Sequence, residues 1–401
     1  MSNLILFDQH YQDLLPLTFT RPVAALRIGV LTIQQKWEHY ISRYFPVKAS
    51  FVTAAHLTKK YPTYWDKQNL LINASLLPTF ELVEYLCVQM PENTMLLQGK
   101  TVIALKCNEE KGRDFLEGKP IDLKQLQAAT PLIQIQYPWD IFSNNAVALE
   151  LDFTLLTTDR HSQAISSTNQ VIGDSRNIFL EEGAWVECAT LNASSGSIYI
   201  GKNATVMEGT NIRGGLALCE ESTLKMGAKI YGATTIGPHS KVGGEVNNSV
   251  ITGYSNKGHD GFLGNAVLGQ WCNLGADTNN SNLKNNYSEV KGWNYAEGGF
   301  IPTGKQFCGL VMGDHSKTGI NSMFNTGTTV GAFCNIYGSD FPRTFVPSFS
   351  WGSSKGFVTH QLDKAIATAD RVMRRRNKQL DETERQIIEA IFEQTATYRK
   401  F

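Results

Sequence analysis

The sequence predicts an α/β N-terminal domain, then a triangular parallel β-helix, then a short helical tail. Three observations carry this reading. Aliphatic residues recur every six positions through much of residues 200–336. That period is absent before about residue 155. Apolar residues at helical spacing return near the end. A chain of 401 residues accommodates two or three domains, and the divisions expected are 1–155, 156–345 and 346–401.

In the first part, LILF reads as an opening strand and residues 28–45 (IGVLTIQQKWEHYISRYF) as a helix, or a strand end followed by one. The stretch TMLLQGKTVIALKC (94–107) holds apolar, β-branched runs suited to buried strands. Strands alternating with helical segments imply an α/β sandwich of Rossmann-like type.

In the second part, Ile200, Val206, Ile212, Leu218, Leu224, Ile230, Ile236 and Val242 form an unbroken run with a spacing of six. The phase breaks near residue 247, resumes at Phe262, Leu268 and Leu274, and returns at Met312, Thr318, Phe324, Val330 and Ile336. A helix repeats every 3.6 residues and an amphipathic strand every two, so six fits neither. It fits a prism whose sides are hexapeptides, with the aliphatic residue inward, a small residue such as Ala204, Ser222 or Ala228 near the corner, and glycine in the turn. Each coil buries its apolar face only against its neighbours, so many coils are required. The gaps between Val242 and Phe262 and between Leu274 and Met312 predict two ejected loops, Gly244 to Gly261 and an Asn- and aromatic-rich segment. Loops on a rigid scaffold are where chemistry concentrates.

From about Gly356 the pattern returns to helix. Leu362, Ile366, Ala369 and Met373 share a face, and a second helix opens at Asp381 with Glu384 three residues on. The run Arg374-Arg375-Arg376 reads as a solvated helix end complementing the dipole, with contact to a phosphate as the alternative.

Composition bounds the function. Thirty-seven basic residues balance 37 acidic ones, which removes any bulk electrostatic case for nucleic acid or an anionic membrane as partner. Seven scattered cysteines without a C-x-x-C pair read as reduced core residues. The N-terminus lacks the basic and apolar regions of a signal peptide, and no stretch is apolar enough to span a bilayer. A cytoplasmic protein is expected.

The stretch GHDGFLGNAVLGQWCNLGADTNNSN resembles the acetyltransferase half of the bacterial bifunctional enzymes that make UDP-N-acetylglucosamine. His259, Gly264, Gly269, Asn273-Leu274-Gly275-Ala276, Thr278 and Asn282 match that family in order and spacing. Asp277 replaces a glycine, Phe262 a common tyrosine, and Asn247 stands near the place of a substrate lysine. PLTFTRPVAALRIGVLTIQQKWE (16–38) is similar, more loosely, to sugar nucleotidyltransferases. There the phosphate-cradling glycine loop is missing, Val23 stands for a lysine, and Ser75 occupies the place of a metal-binding carboxylate. The resemblance implies a nucleotidyltransferase-like domain fused to a left-handed β-helix that packs as a homotrimer.

Acyl transfer to an amine needs a base for the amine proton, a held thioester and a stabilised oxyanion. Histidine titrates near neutrality and suits the first task. The resemblance therefore implies His259 as general base for a hexosamine 1-phosphate, acetyl-CoA as co-substrate beside Ala276, and Asn273 and Asn282 as holding the sugar or the acetyl group, with Lys257 placed to meet a phosphate. Arg21 and Arg27 would stand in as phosphate ligands for a nucleoside triphosphate, with Mg²⁺ in the N-terminal domain. Bland readings stand beside these: a loop histidine bonded to a carbonyl, an asparagine capping a coil turn, a solvated lysine. Two alternatives stay open: a sugar-phosphate nucleotidyltransferase alone, or a degenerate domain that only binds a nucleotide sugar. A third is a zinc site of the gamma carbonic anhydrase type built from His239, His259 and His315, although the close histidine pair of that family is missing. No protein metal ligands are expected otherwise.

Overall fold

The computed structural model describes residues 3–128 and 132–401. The chain forms two compact units. One comprises Met1–Tyr11, Arg21–Leu26 and Leu31–Gln136; the other comprises Gln12–Thr20, Arg27–Val30 and Tyr137–Phe401.

The first unit is built on six strands: β1 (Asn3–Phe7), β2 (Ser50–Val52), β3 (Asn69–Asn73), β4 (Thr94–Gln98), β5 (Thr101–Cys107) and β6 (Lys124–Gln127), in the order β2-β1-β3-β5-β4-β6. β1 runs parallel to β2 and β3, and β5 is antiparallel to both β3 and β4. Leu70, Leu71 and Ile72 of β3 are fully buried, as a central strand with both faces covered requires. Helix α1 (Ile33–Ile41) starts at a Thr32 capping box closed by Gln35, and its Trp37 is buried with the indole N–H donating to the Leu76 carbonyl at 3.0 Å. Short helices α2 (Phe80–Glu84) and α3 (Glu109–Leu116) complete this unit.

The second unit is a parallel β-solenoid. Its longest sheet has nine strands, beginning Ile178–Leu180, Ile198–Ile200 and Leu216–Leu218 and ending at Phe345–Val346. Along this face Ile200, Leu218, Ile236, Ile251, Leu268 and Met312 stack in register, every one of them at 0% exposure. Each such side chain stabilises the prism by roughly 1.5–3 kcal/mol, so the sum over coils outweighs the poor local propensity of two- and three-residue strands.

Two expectations are corrected by this winding. The segment 244–261 is not ejected: it forms strands Glu245–Asn247, Val250–Gly253 and Asn256–Lys257 of the solenoid, with shortened connections that shift the phase of the repeat. Leu263, not Phe262, is therefore the inward residue of the next strand. The second gap does leave the solenoid, as an antiparallel hairpin of Lys291–Asn294 with Gly299–Pro302. Helix α4 (Pro138–Thr157) belongs to the solenoid unit, where Asn145 donates to the Ala233 carbonyl at 2.7 Å and Glu150 accepts from Ser197. At the other end the coils continue through the hairpin Ser350–Ser353 and Gly356–Thr359 before α5 (Leu362–Arg374) and α6 (Glu382–Gln394), the latter capped by Asp381.

All seven cysteines are free thiols, five of them buried. No helix among the described residues is long and apolar enough to cross a membrane.

Candidate functional site

His259 stands in a turn compressed between two coils. Below it, Val242 and Val246 are joined by a connection that includes Gly243 and Gly244. A Cβ on Gly244, whose φ is +71°, would lie 2.8 Å from the His259 carbonyl oxygen. Above it, the Asp277 amide donates to the Asp260 carbonyl at 3.1 Å, and a Cβ on Gly261 (φ +114°) would strike the Thr278 carbonyl at 2.2 Å. Glycine is required at both places on steric grounds. The turn is thereby fixed while the His259 side chain stays exposed.

The imidazole lines a groove of about 830 Å³ in the solenoid unit. Asn273 and Ala276 line the same groove, so three of the residues singled out from sequence converge. So do Lys225, Lys241, Lys317, Arg375 and Arg376, and the lining includes no aspartate or glutamate. Burial pushes the Lys317 ammonium down to about 8 while its Nζ donates to the His315 carbonyl at 2.8 Å. The Arg376 guanidinium donates to the Asn256 side chain at 3.3 Å, fixing the end of α5 against this coil. Five cations on a groove whose described lining holds no carboxylate, in a chain of zero net charge, favour an anion in this space.

One corner of the solenoid is aromatic, and its Tyr254 and Trp271 line the groove. His239, Tyr254, Trp271, His315, Phe333 and Phe349 occupy the same corner of successive coils, all with φ between 53° and 61°. Their rings stack, with centroids 4.3 Å apart for Tyr254 and Trp271 and 4.8–6.0 Å for the other pairs. Bulky side chains are rare in the left-handed region, and each stacked pair offsets part of that strain by about 0.5–1.5 kcal/mol.

The remaining expected residues lie elsewhere. Lys257 does not face the groove. It occupies the inward register position beside Val242, is 2% exposed, and donates from Nζ to the His259 carbonyl at 2.5 Å. Asn282 is placed at another corner, where it donates to the Asn265 side chain at 2.8 Å. Arg27 is buried and its donors serve the carbonyls of Val30 and Thr252, so it is committed within the protein and does not present a free fork to a phosphate. Arg21, in the first unit, is buried as well. The three-histidine zinc arrangement is corrected: the rings of Tyr254 and Trp271 are stacked between His239 and His315, and no cluster of three metal-binding side chains occurs among the described residues.

Sequence reasoning missed most of the groove's charge. Arg374 does behave as a surface helix end, paired with Asp370 at 2.8 Å, but Arg375 and Arg376 turn toward the groove. The available signal was a triple-arginine run at the end of an amphipathic helix, which periodicity alone reads as solvated. Tyr254 and Trp271 stand three residues after Ile251 and Leu268, at a corner position that holds Asn203 and Glu221 in earlier coils, so the repeat fixes no residue type there.

The first unit gathers polar groups at the carboxyl ends of its parallel strands, where open α/β sheets bind ligands. Asp8 follows β1; its two oxygens accept from the Val23 amide at 2.9 Å and the Thr53 hydroxyl at 2.6 Å, and burial pushes its carboxyl up to about 7. Ser75 follows β3 and donates to the Asn73 side chain at 2.8 Å. This edge does not fit a divalent cation. Each Asp8 oxygen already accepts a hydrogen bond and burial works against its ionisation, whereas hard cations require ionised, available carboxylates.

Comparison with known proteins finds a family match that covers the first unit and runs on through α4. Residues 4–161 match the family model described as "Sugar nucleotidyl transferase". A "Bifunctional sugar-1-phosphate nucleotidylyltransferase/acetyltransferase" from Sulfurisphaera tokodaii is 29% identical over 144 residues, 35% of each chain. The "Bifunctional protein GlmU" of Synechococcus elongatus is 30% identical over 148 residues, 35% of this chain and 28% of that protein. This chain thus spans about a third of the length of these curated relatives. The UDP-N-acetylglucosamine acyltransferase from Campylobacter jejuni aligns with 59% of this chain and 83% of that one at 15% identity; its TM-score of 0.19 is too low for the likeness to bear on function. These matches point to a transferase, and residues 4–161 are similar to the sugar nucleotidyl transferase family model.

Proposed function

We propose that the solenoid groove transfers an acetyl group from acetyl-CoA to the amine of a hexosamine 1-phosphate, with His259 as general base. The observation that carries this reading is a groove free of carboxylates in which an exposed histidine, five cations and Asn273 face one space. Both substrates are polyanions, and the cations supply the attraction each needs. The neutral imidazole takes the proton of the attacking amine as the N–C bond forms. When the C–S bond breaks, the imidazolium returns that proton to the thiolate, which leaves as the free thiol. Asn273 orients the acceptor or the acetyl carbonyl, and the backbone at Ala276 lines the thioester. On this reading three solenoids associate as a homotrimer in the cytoplasm.

Nucleotidyl transfer to a sugar 1-phosphate by the first unit is a second reading, favoured by the family match over residues 4–161. No step through Mg²⁺ is drawn, because the strand-end residues do not fit it. Binding of a nucleotide sugar without turnover is the outcome that would reduce this unit to a recognition domain.

The test is thiol release from acetyl-CoA with glucosamine 1-phosphate as acceptor. Native protein should release thiol only when the sugar phosphate is present, and His259→Ala should lower kcat by about 10²–10⁴-fold. Absence of release with a panel of amino-sugar phosphates would overturn the reading.

A further inference from the structure

One ionisable group in the solenoid lies where the repeat calls for an aliphatic side chain. On the face that carries Val206, Leu224 and Val242, the next inward residue is Lys257, paired in register with Val242. It is among the largest fully buried side chains of the protein. An ammonium in such a place is costly unless something fixed receives its protons. Its Nζ donates to the His259 carbonyl at 2.5 Å, and a Cβ on Gly244 would approach that Nζ to 3.0 Å. The stem therefore runs beneath the turn, and the ammonium meets it from inside the prism. Asp260, in the turn, and Asp277, in the coil above, are the charged groups that face it.

We infer that Lys257 is a positioning residue for His259: an internal strut that holds the 258–261 turn by its carbonyl so that the imidazole projects into the groove. This rests on the acyl-transfer reading of the groove and adds to it a residue that never touches substrate. The physical need is plain. The turn has glycine at both ends, and glycine gives it no stiffness of its own. A side chain displaced by about 1 Å can cost a reaction some 10²-fold. An apolar residue at position 257 would fill the same volume and leave the His259 carbonyl without this donor.

The test compares native protein with Lys257→Met, which keeps the volume and removes the ammonium, and Lys257→Arg. Three quantities are read: the thermal midpoint, CoA affinity by calorimetry, and amide hydrogen exchange at Asp277, whose N–H bonds to the Asp260 carbonyl of the same turn. In the Met variant the midpoint should be unchanged or higher, CoA affinity within about twofold of native, and Asp277 exchange faster by about tenfold or more. Acetyl transfer should lose about tenfold or more in kcat at nearly constant KM for acetyl-CoA, with partial recovery in the Arg variant. Exchange at Asp277 as slow as in native protein would overturn the inference, whether or not acetyl transfer is observed. Absence of transfer by the native protein would instead overturn the acyl-transfer reading, and the exchange measurement would still decide whether the strut exists.

Discussion

The coils through residues 198–242 and those through 242–280 wind on the same faces and do different work. In the first set Ile200, Leu218 and Ile236 stand 18 apart and inward positions are aliphatic. In the second the same face advances by 15 and then 17, from Ile236 to Ile251 to Leu268. The inward residue at 257 is a lysine, and the corners carry Tyr254 and Trp271. The largest single shortening lies in one connection. Leu224 reaches Ile230 in six residues, but Val242 reaches Val246 in four, through Gly243 and Gly244. The short connection leaves space under the next coil, and the His259 turn occupies it. A regular repeat makes a rigid wall; the shortened coil sets the exposed His259 imidazole on that wall.

The sharpest way to break the comparison is to damage each set at an equivalent inward position. Leu224→Ala removes a fully buried side chain from a coil that cannot collapse around the gap, and should cost about 2–5 kcal/mol. The midpoint of urea unfolding should fall accordingly, with CoA affinity unchanged in the surviving folded fraction. A loss below about 1 kcal/mol would mean that the regular coils are more plastic than their packing implies.

Lys257→Met should act in the opposite direction, and its size should depend on pH. Burial pushes the Lys257 ammonium down from 10.5 to about 8, with Asp260 and Asp277 opposing the shift. Between those values the unfolded chain holds a proton that the folded chain does not, so the native protein gains stability as pH rises through this window. Below about 8 the full cost of burying the charge is present, roughly 3 kcal/mol at the ordinary value per pKa unit. The Met variant should therefore be the more stable protein at pH 7.5, with its advantage shrinking toward pH 10.5. Taking the difference between the two proteins at each pH cancels the buried thiols, whose own titration works the other way. A constant difference across that range would mean that Lys257 titrates like an exposed lysine.

These two positions also show what the sequence disclosed. The eight-fold run from Ile200 to Val242 is visible because one inward residue per hexapeptide obeys the repeat, and the structure buries each of them. The break after Val242 was visible too, but not its meaning. A shortened connection and an ejected loop both interrupt a period, and only pairing in register, Glu245 with Phe262 and Val242 with Lys257, tells them apart. His259, Asn273 and Ala276 could be singled out because a spaced motif surrounds them. Lys225, Lys241 and Lys317 could not, since lysines on a solenoid surface look alike until the coils are stacked. Arg375 and Arg376 come from a segment more than a hundred residues away, and no local pattern foretells which coil a helix end will meet.

That helix end gives the mildest test. Arg375 and Arg376 line the groove beside the cations of the irregular coils, and nothing acidic among the lining residues neutralises them. Near a protein surface each charge contributes on the order of 1 kcal/mol to a bound anion. Replacing both by glutamate should weaken CoA binding by about tenfold or more in dilute buffer. The loss should shrink in 0.5 M salt, where screening acts within a few ångströms. Arg374→Glu, on the outer side of the same helix end and paired with Asp370, should leave affinity nearly unchanged and serves as the control. Equal effects from the inner pair and the outer residue would reduce the helix end to a diffuse positive field. A selective effect would make the tail a working part of the groove that the shortened coils create.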